Sequence, residues 1–236
     1  MNTRPVLITG VGRRAGLHLA ATFLERGRPV IGTFRTERPG LAALREAGAD
    51  LLRCDFNDAG AVHALVRSVS ERHAGLRAIV HNASEWLPDD GDLPPAEVMQ
   101  RMMQVHVNAP YQLNLALAPL LAAGDGAADI IHVGDYVSSR GSRKHIAYAA
   151  SKAAQDNLTL SFAARLAPRV KVNSIAPALL LFNEGDDAAY REKALSKSLL
   201  RREGGLEELQ RAVDYLMGSR YVTGRVLPLD GGRHIA

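Results

Sequence analysis

Short apolar runs alternate with longer amphipathic stretches along almost the whole chain. The runs are VLIT from Val6, PVIGTF from Pro29, DLLRCDF from Asp50, AIVHNAS from Ala78, DIIHVGD from Asp129, VKVNSIAP from Val170 and VLPLDGG from Val226. Runs this short and this rich in Val, Ile and Leu read as strands buried on both faces. Between most of them, apolar residues recur every three or four positions, the period of a helix with one packed stripe. HLAATFLERG from His18, LAALREAG from Leu41 and AVHALVRSVSERHAG from Ala61 have that period, as do a long region from Pro95 to Ala123 and the segment carrying Tyr148. The alternation predicts a Rossmann-type doubly wound parallel sheet of about seven strands with helices on both faces, in one domain spanning residues 1–236. Gly27 and Gly48 stand where the helical period stops ahead of a strand, the place for a left-handed helix end. The least regular stretch runs from Leu180 to Gly205; it is either a lid beside the strand ends or a surface excursion.

Composition narrows the class. Of 236 residues 47% are hydrophobic and 23% charged, which fits a folded core and not a disordered chain. The net charge of +4 is spread among acids, without a basic stripe interleaved with aromatics, so a small phosphate-bearing ligand is expected and nucleic acid is not. LNLALAPLLAAG from Leu113 is broken by Asn114 and Pro119 and is too short to span a bilayer, so it reads as a buried helix and no membrane partner is expected. MNTRPVLITG enters a strand-like run without a signal-type apolar segment. The lone cysteine, Cys54, can form neither an internal disulfide nor a thiol cluster, which suits a reducing compartment, the cytoplasm. Cys54 itself reads as a small buried residue on a strand. His81, His106 and His132 have no metal-ligand spacing with acids or Cys54; they read as packed or surface imidazoles, and no metal is expected.

Four stretches carry candidate chemistry. TGVGRRAG, Thr9 to Gly16, follows the first strand and opens a helix, so free N–H groups and the bare backbone at Gly10 and Gly16 can approach a pyrophosphate. Arg13 and Arg14 inside this loop suit a phosphate or an electron-rich ligand. FRTE closes the second strand, where an acid would bind the ribose hydroxyls of NAD; Arg35 with Thr36 favours the 2′-phosphate of NADPH. Asp55, closing the third strand, either accepts from an adenine amino group or caps the next helix. HNASEW puts Asn82 and Ala83 at the carboxyl edge of the sheet, and Trp86 offers a flat ring for stacking or for packing. Tyr148 and Lys152, four apart on a helix, face one side, and the ammonium is expected to lower the phenol's pKa toward working pH.

Together TG near the start, HNAS, Asn108, YAASK, VNSIAP and the closing DGG resemble the short-chain dehydrogenase/reductase family. That resemblance implies a nicotinamide cofactor, with Pro177 among the cofactor contacts. It implies a catalytic Tyr148–Lys152 pair in which Lys152 binds the nicotinamide ribose, and Asn108 as the active-site asparagine holding a relay water. The family usually has a serine thirteen residues before the tyrosine; here Asp135 stands there, and Ser138 and Ser139 lie too close. Asp135 with the arginine-bearing TGVGRRAG loop resembles the pteridine reductase branch. The branch implies Arg14 on pterin and cofactor phosphate, Ser84 on the ligand, Trp86 stacked on it, and Asp135 with Tyr148 in the polar site. It implies NADPH-dependent reduction of a dihydropterin, with weaker dihydrofolate reduction, in a homo-oligomer, by family resemblance a tetramer. Ala178 follows Pro177 where the wider family often has glycine. Two rivals are a carbonyl reductase of the same fold and a non-catalytic NADPH-binding regulatory protein.

Overall fold

Each apolar run becomes a strand of one parallel sheet. In the computed structural model, which describes residues 4–124 and 126–236, the strands are β1 (Val6–Ile8), β2 (Val30–Phe34), β3 (Asp50–Arg53), β4 (Ala78–His81), β5 (Ala128–Val133), β6 (Val170–Pro177) and β7 (Val226–Leu229). They lie in the order β3-β2-β1-β4-β5-β6-β7, with every neighbouring pair parallel. The helices are α1 (Arg14–Glu25), α2 (Gly40–Glu46), α3 (Ala59–Arg72), α4 (Pro95–Met103), α5 (Ala109–Ala122), α6 (Ile146–Leu166), α7 (Ala188–Leu195) and α8 (Leu206–Gly218).

The pleat sorts neighbouring side chains into two cores. Leu7, Ile79, Ile130 and Val172 join α3, α5 and α6 through Leu65, Leu117 and Phe162. Val6, Ile8, Val80, Ile131 and Ile175 face the other way onto α1, α2 and α8 through Phe23, Leu44 and Val213. Both faces of the central strands are therefore dry, and they show no polar alternation. From β1 the chain winds outward through β2 to β3, then returns to lay β4 on the other side of β1. The crevice at the carboxyl ends of β1 and β4 is where a doubly wound sheet binds its ligand.

The glycine stops are left-handed, with φ of 68° at Gly27 and 88° at Gly48. The region from Pro95 to Ala123 is not one regular helix. Between α4 and α5 the backbone widens into a π turn over Gln104–Asn108 that buries the consecutive residues Val105 and His106. The Leu180–Gly205 stretch contains α7, started by Asp187, whose carboxylate accepts from the Tyr190 N–H at 2.7 Å. Cys54, just past β3, is buried, and burial pushes its thiol up to about 12, so it stays protonated and inert. Among the described residues no helix is long and apolar enough to cross a membrane.

Candidate active site

A groove of 330 Å³ opens at the carboxyl ends of β1, β2 and β4. Its walls include Gly10, Arg13, Arg14, Gly16, Arg35, Thr36, Asp55, Asn82, Ala83 and Ser84, all expected to meet the ligand. The glycine loop is shaped by contact. A Cβ on Gly16 would lie 2.1 Å from the Gly10 carbonyl oxygen, and one on Gly10, whose φ is 75°, would meet Ala83 at 2.9 Å. Asn82 braces this loop, its Nδ2 donating to the Thr9 and Gly10 carbonyls at 2.9 and 3.1 Å. Thr9 Oγ1 accepts from the Asn82 and Ala83 N–H groups. The backbone of α1 thus begins at the groove wall, with no side-chain hydrogen bond capping it.

Several of these side chains are engaged within the chain. The Arg14 guanidinium leaves the groove and holds the stretch after β6, donating to Asn183 Oδ1 at 2.7 Å and the Leu181 carbonyl at 2.9 Å. Arg35 is paired with Glu85 at 3.1 Å. Glu85 also takes hydrogen bonds from Arg101 and Asn57, which pull its pKa down against the opposing effect of burial. Asp55 does not cap α3; Asp58 does, accepting from Gly60 and Ala61, while Asp55 accepts from the Asn57 N–H. Trp86 is 63% exposed, stacked on His145 with centroids 3.9 Å apart. Pro177 ends β6 on the same sheet edge but lies outside the groove lining. Glu85, Arg101 and Asn57 were not anticipated, because their pairing joins residues far apart in sequence; Arg38, also on the groove wall, was not anticipated either.

Beyond Ser84 lies a second cluster. Tyr148 Oη donates to Asp135 Oδ2 at 2.9 Å, and Asp135 Oδ1 accepts from the Val137 N–H at 3.0 Å. Lys152 is 1% exposed; its Nζ donates to the Val133 carbonyl at 2.8 Å and lies 5.7 Å from the Tyr148 ring centre. Burial pushes Lys152 down to about 8. The expectation of a phenol pKa lowered by Lys152 is corrected: burial, then the Asp135 charge, hold it well above its usual value. Burial also raises the Asp135 carboxyl. A carboxylate as the hydrogen-bond partner costs the phenolate more than the buried ammonium returns.

Asn108 is exposed, its amide donating to Gln104 Oε1, and it does not enter this cluster. The π turn aims His106 inward instead. Nε2 lies 2.9 Å from Ser84 Oγ, Nδ1 lies 2.8 Å from Ser151 Oγ, and the ring meets Tyr148 edge-on. The other two histidines are buried as well, in the chain His81–Asn114–His132–Thr159. All three are packed imidazoles and none is at the surface. Among the described residues no group of three or more His, Cys, Asp or Glu could hold a metal ion.

A glycine-shaped groove at the switch point of a parallel sheet, leading to a tyrosine one helical turn from a buried lysine, defines a dinucleotide-dependent oxidoreductase class. Residues 10–234 match the family described as enoyl-(acyl carrier protein) reductase, and the chain belongs to the short-chain dehydrogenase/reductase family. It is 55% identical to the dihydromonapterin reductase of Klebsiella pneumoniae subsp. pneumoniae over 98% of this chain and 96% of that one. It is also 55% identical to that of Escherichia coli, over 98% and 97%. The Brucella canis FolM alternative dihydrofolate reductase 1, solved with NADP, superposes with a TM-score of 0.87 at 30% identity, covering 99% of this chain and 94% of that one.

Proposed function

We propose that the protein reduces 7,8-dihydromonapterin to tetrahydromonapterin with NADPH, and dihydrofolate more slowly, as one cofactor-binding domain of reduced-pterin and one-carbon metabolism. The dihydromonapterin reductases that it matches over nearly their whole length support this substrate, and the NADP complex of the Brucella relative supports the cofactor. The groove fits the cofactor: the loop, drawn tight at Gly10 and Gly16 against Ala83 and Asn82, sets the start of α1 at the groove wall where helix N–H groups suit a pyrophosphate, and Arg35 with Thr36 offers a cation and a hydroxyl to a 2′-phosphate. Bound NADPH supplies the hydride.

The observation that carries the pterin reading is the hydrogen bond from Tyr148 to Asp135. A carbonyl compound brings only an acceptor oxygen to its site and suits hydroxyl donors. Here the phenol's proton already points at a carboxylate, and the remaining lone pairs of Asp135 and Tyr148 suit the N–H donors of an aminopyrimidine. Reduction of a C=N bond also needs a proton on its nitrogen. Tyr148 and Asp135, sharing one hydrogen bond and both raised in pKa by burial, can hold that proton next to the ring until it is needed. Lys152, locked under the tyrosine by the Val133 carbonyl, keeps a positive charge in a site that would otherwise carry only the carboxylate.

A homotetramer is part of the same proposal, supported by Tyr111 and Leu160, large apolar side chains left about half exposed on α5 and α6, and by Tyr221, fully exposed beside the edge strand β7. The test compares kcat/KM for NADPH oxidation with dihydromonapterin, dihydrofolate and a simple ketone, with mass by light scattering on the same preparation. Preference in that order is expected; turnover of the ketone alone would replace the substrate reading.

A further inference from the structure

Groups of fixed hydrogen-bonding polarity decide where His106 carries its proton. The Glu85 backbone N–H, 3.3 Å from Nε2, can only donate. At the other end the Tyr148 carbonyl can only accept, and it takes the Ser151 hydroxyl proton at 2.7 Å. Ser151 Oγ, its proton committed, accepts from His106 Nδ1 at 2.8 Å. The ring therefore has its proton on Nδ1 and a lone pair on Nε2. Burial, with the Lys152 charge nearby, keeps it neutral. Ser84 Oγ lies 2.9 Å from that Nε2. The nitrogen has no proton to give, so the serine donates to it in preference to the Glu85 carbonyl, which is farther at 3.5 Å, and the serine's lone pairs are left free.

We propose that His106 is a positioning residue that holds Ser84 as a hydrogen-bond acceptor toward the ligand, and so makes the site select a ring edge bearing N–H donors over one bearing carbonyl oxygens. The identity of that ligand rests on the dihydropterin reading; the polarity of Ser84 does not. Ser84 lies on the groove wall and within hydrogen-bond reach of the Tyr148 phenol, where a donating serine would lower the phenol's pKa; donation to His106 withdraws that proton. With Tyr148 committed to Asp135, three neighbouring groups then present lone pairs together. Without His106 the Ser84 hydroxyl can turn and donate, to Tyr148 or to a ligand oxygen. The π turn is what makes this possible, because it carries His106 into contact with the serine after β4 and the helix of the Tyr–Lys pair at once. The His106 carbonyl strengthens the same junction, accepting from Gln155 Nε2 at 3.2 Å, while Gln155 Oε1 faces Lys152 Nζ at 3.4 Å.

The test has two arms. Side-chain nitrogen NMR on protein labelled at histidine, with the His106 signals assigned by their absence in H106Q, should show the Nδ1–H tautomer throughout the neutral range. An Nε2–H or doubly protonated ring overturns the proposal, and this arm needs no substrate. The second arm measures kcat/KM with NADPH for a dihydropterin and for its analogue with the 2-amino group replaced by a carbonyl oxygen. In H106F the preference for the amino compound should fall about tenfold, the usual scale of one hydrogen bond. H106Q, which keeps an acceptor and a donor on a planar group, should restore most of it, and S84A/H106F should match S84A. An unchanged preference in folded H106F overturns the proposal. Should H106F not fold, S84A and H106Q decide: the first must lose the preference and the second keep it. If the wild-type protein reduced no dihydropterin, the functional reading would fall, while the tautomer would still decide the role of His106.

Discussion

Strand β5 has a carboxylate near each end, Asp129 buried and Asp135 half-buried, and the two are treated in opposite ways. Asp129 and Asp135 are six residues apart in sequence, which at the rise of a strand puts them about 20 Å apart, toward opposite edges of the sheet. Burial pushes both carboxyls up from their ordinary range. Asp129 is answered by two cations, Arg77 and Lys171, the latter at 2.5 Å. Those cations also donate to the Met217 and Leu216 carbonyls at the end of α8, where positive charge is favoured. Both carboxylate oxygens accept from a cation, and each cation has a second acceptor. Among the described residues Asp135 is hydrogen-bonded by a phenol and one backbone N–H, and the Lys152 ammonium is bonded to the Val133 carbonyl. A carboxylate whose charge is cancelled joins strands and a helix; one left short of donors can still take a proton or a ligand.

The sharpest break of this comparison exchanges stability for turnover. D129A would leave two cations buried without their partner, and should cost about 3–5 kcal/mol of unfolding free energy, with kcat unchanged in the protein that remains folded. Y148F should lower turnover by about 10²–10⁴-fold, the range for a lost acid–base group. Its stability should stay within about 1 kcal/mol of wild type, the scale of one hydrogen bond. Urea unfolding and steady-state NADPH oxidation on the same two variants measure both quantities. An unimpaired Y148F would remove the proton-delivery role, and a folded but inactive D129A would remove the division between the two ends.

The strands and helix ends of this molecule were legible because each is signalled locally. A strand dry on both faces has no reason to alternate, and a left-handed helix end has little choice but glycine, so VLIT, Gly27 and Gly48 can be read without knowing their neighbours. The spacing of Tyr148 and Lys152 is local in the same sense. The arrangement around them is not. In MMQVHVNAP the resemblance pointed to Asn108, and the π turn, which no local signal announces, buries His106 and leaves Asn108 exposed. Glu85 meets Arg35 across fifty residues. Arg14 turned away from the groove for a similar reason, since Leu181 and Asn183 come within its reach only once β6 is in place. The phenol's pKa was misjudged because the i, i+4 lysine is visible in the sequence, while the depth of burial that outweighs it is not.

Asp135 also sets how the site responds to alkali. The Lys152 ammonium, held down to about 8 by burial, is present below that pH and lost as pH rises through it. kcat/KM for NADPH reports the protein before it binds cofactor, so it should fall about tenfold per unit above pH ~8. Because the Asp135 charge raises Lys152, D135N should move that midpoint lower, even though its absolute rate is reduced; D129A should not move it. An alkaline limb near the ordinary lysine value, or one indifferent to D135N, would separate Lys152 from Asp135. The same depressed pKa has a sign for stability. Between pH ~8 and ~10.5 the unfolded chain holds a proton that the folded chain lacks, so this group makes stability rise with pH across that window.

Glu85 is a third carboxylate, intermediate between the other two, and it gives the smallest effect. Arg101 and Asn57 hold it without help from Arg35, whose side chain is about half exposed and whose pair with Glu85 lies across the groove wall. Arg35 is thus the partner free to leave for a phosphate, and the pair it gives up is worth about 1 kcal/mol or less. E85Q should therefore tighten NADPH binding by no more than about fivefold and leave NADH binding alone. R35E puts a second carboxylate beside Glu85 at the end of β2 and should turn selectivity from NADPH toward NADH. Fluorescence titration with both cofactors measures the two variants side by side. Selectivity unchanged in R35E would take the 2′-phosphate away from Arg35, whereas weaker NADPH binding in E85Q would mean that Glu85 orients the arginine for the phosphate and does not compete with it.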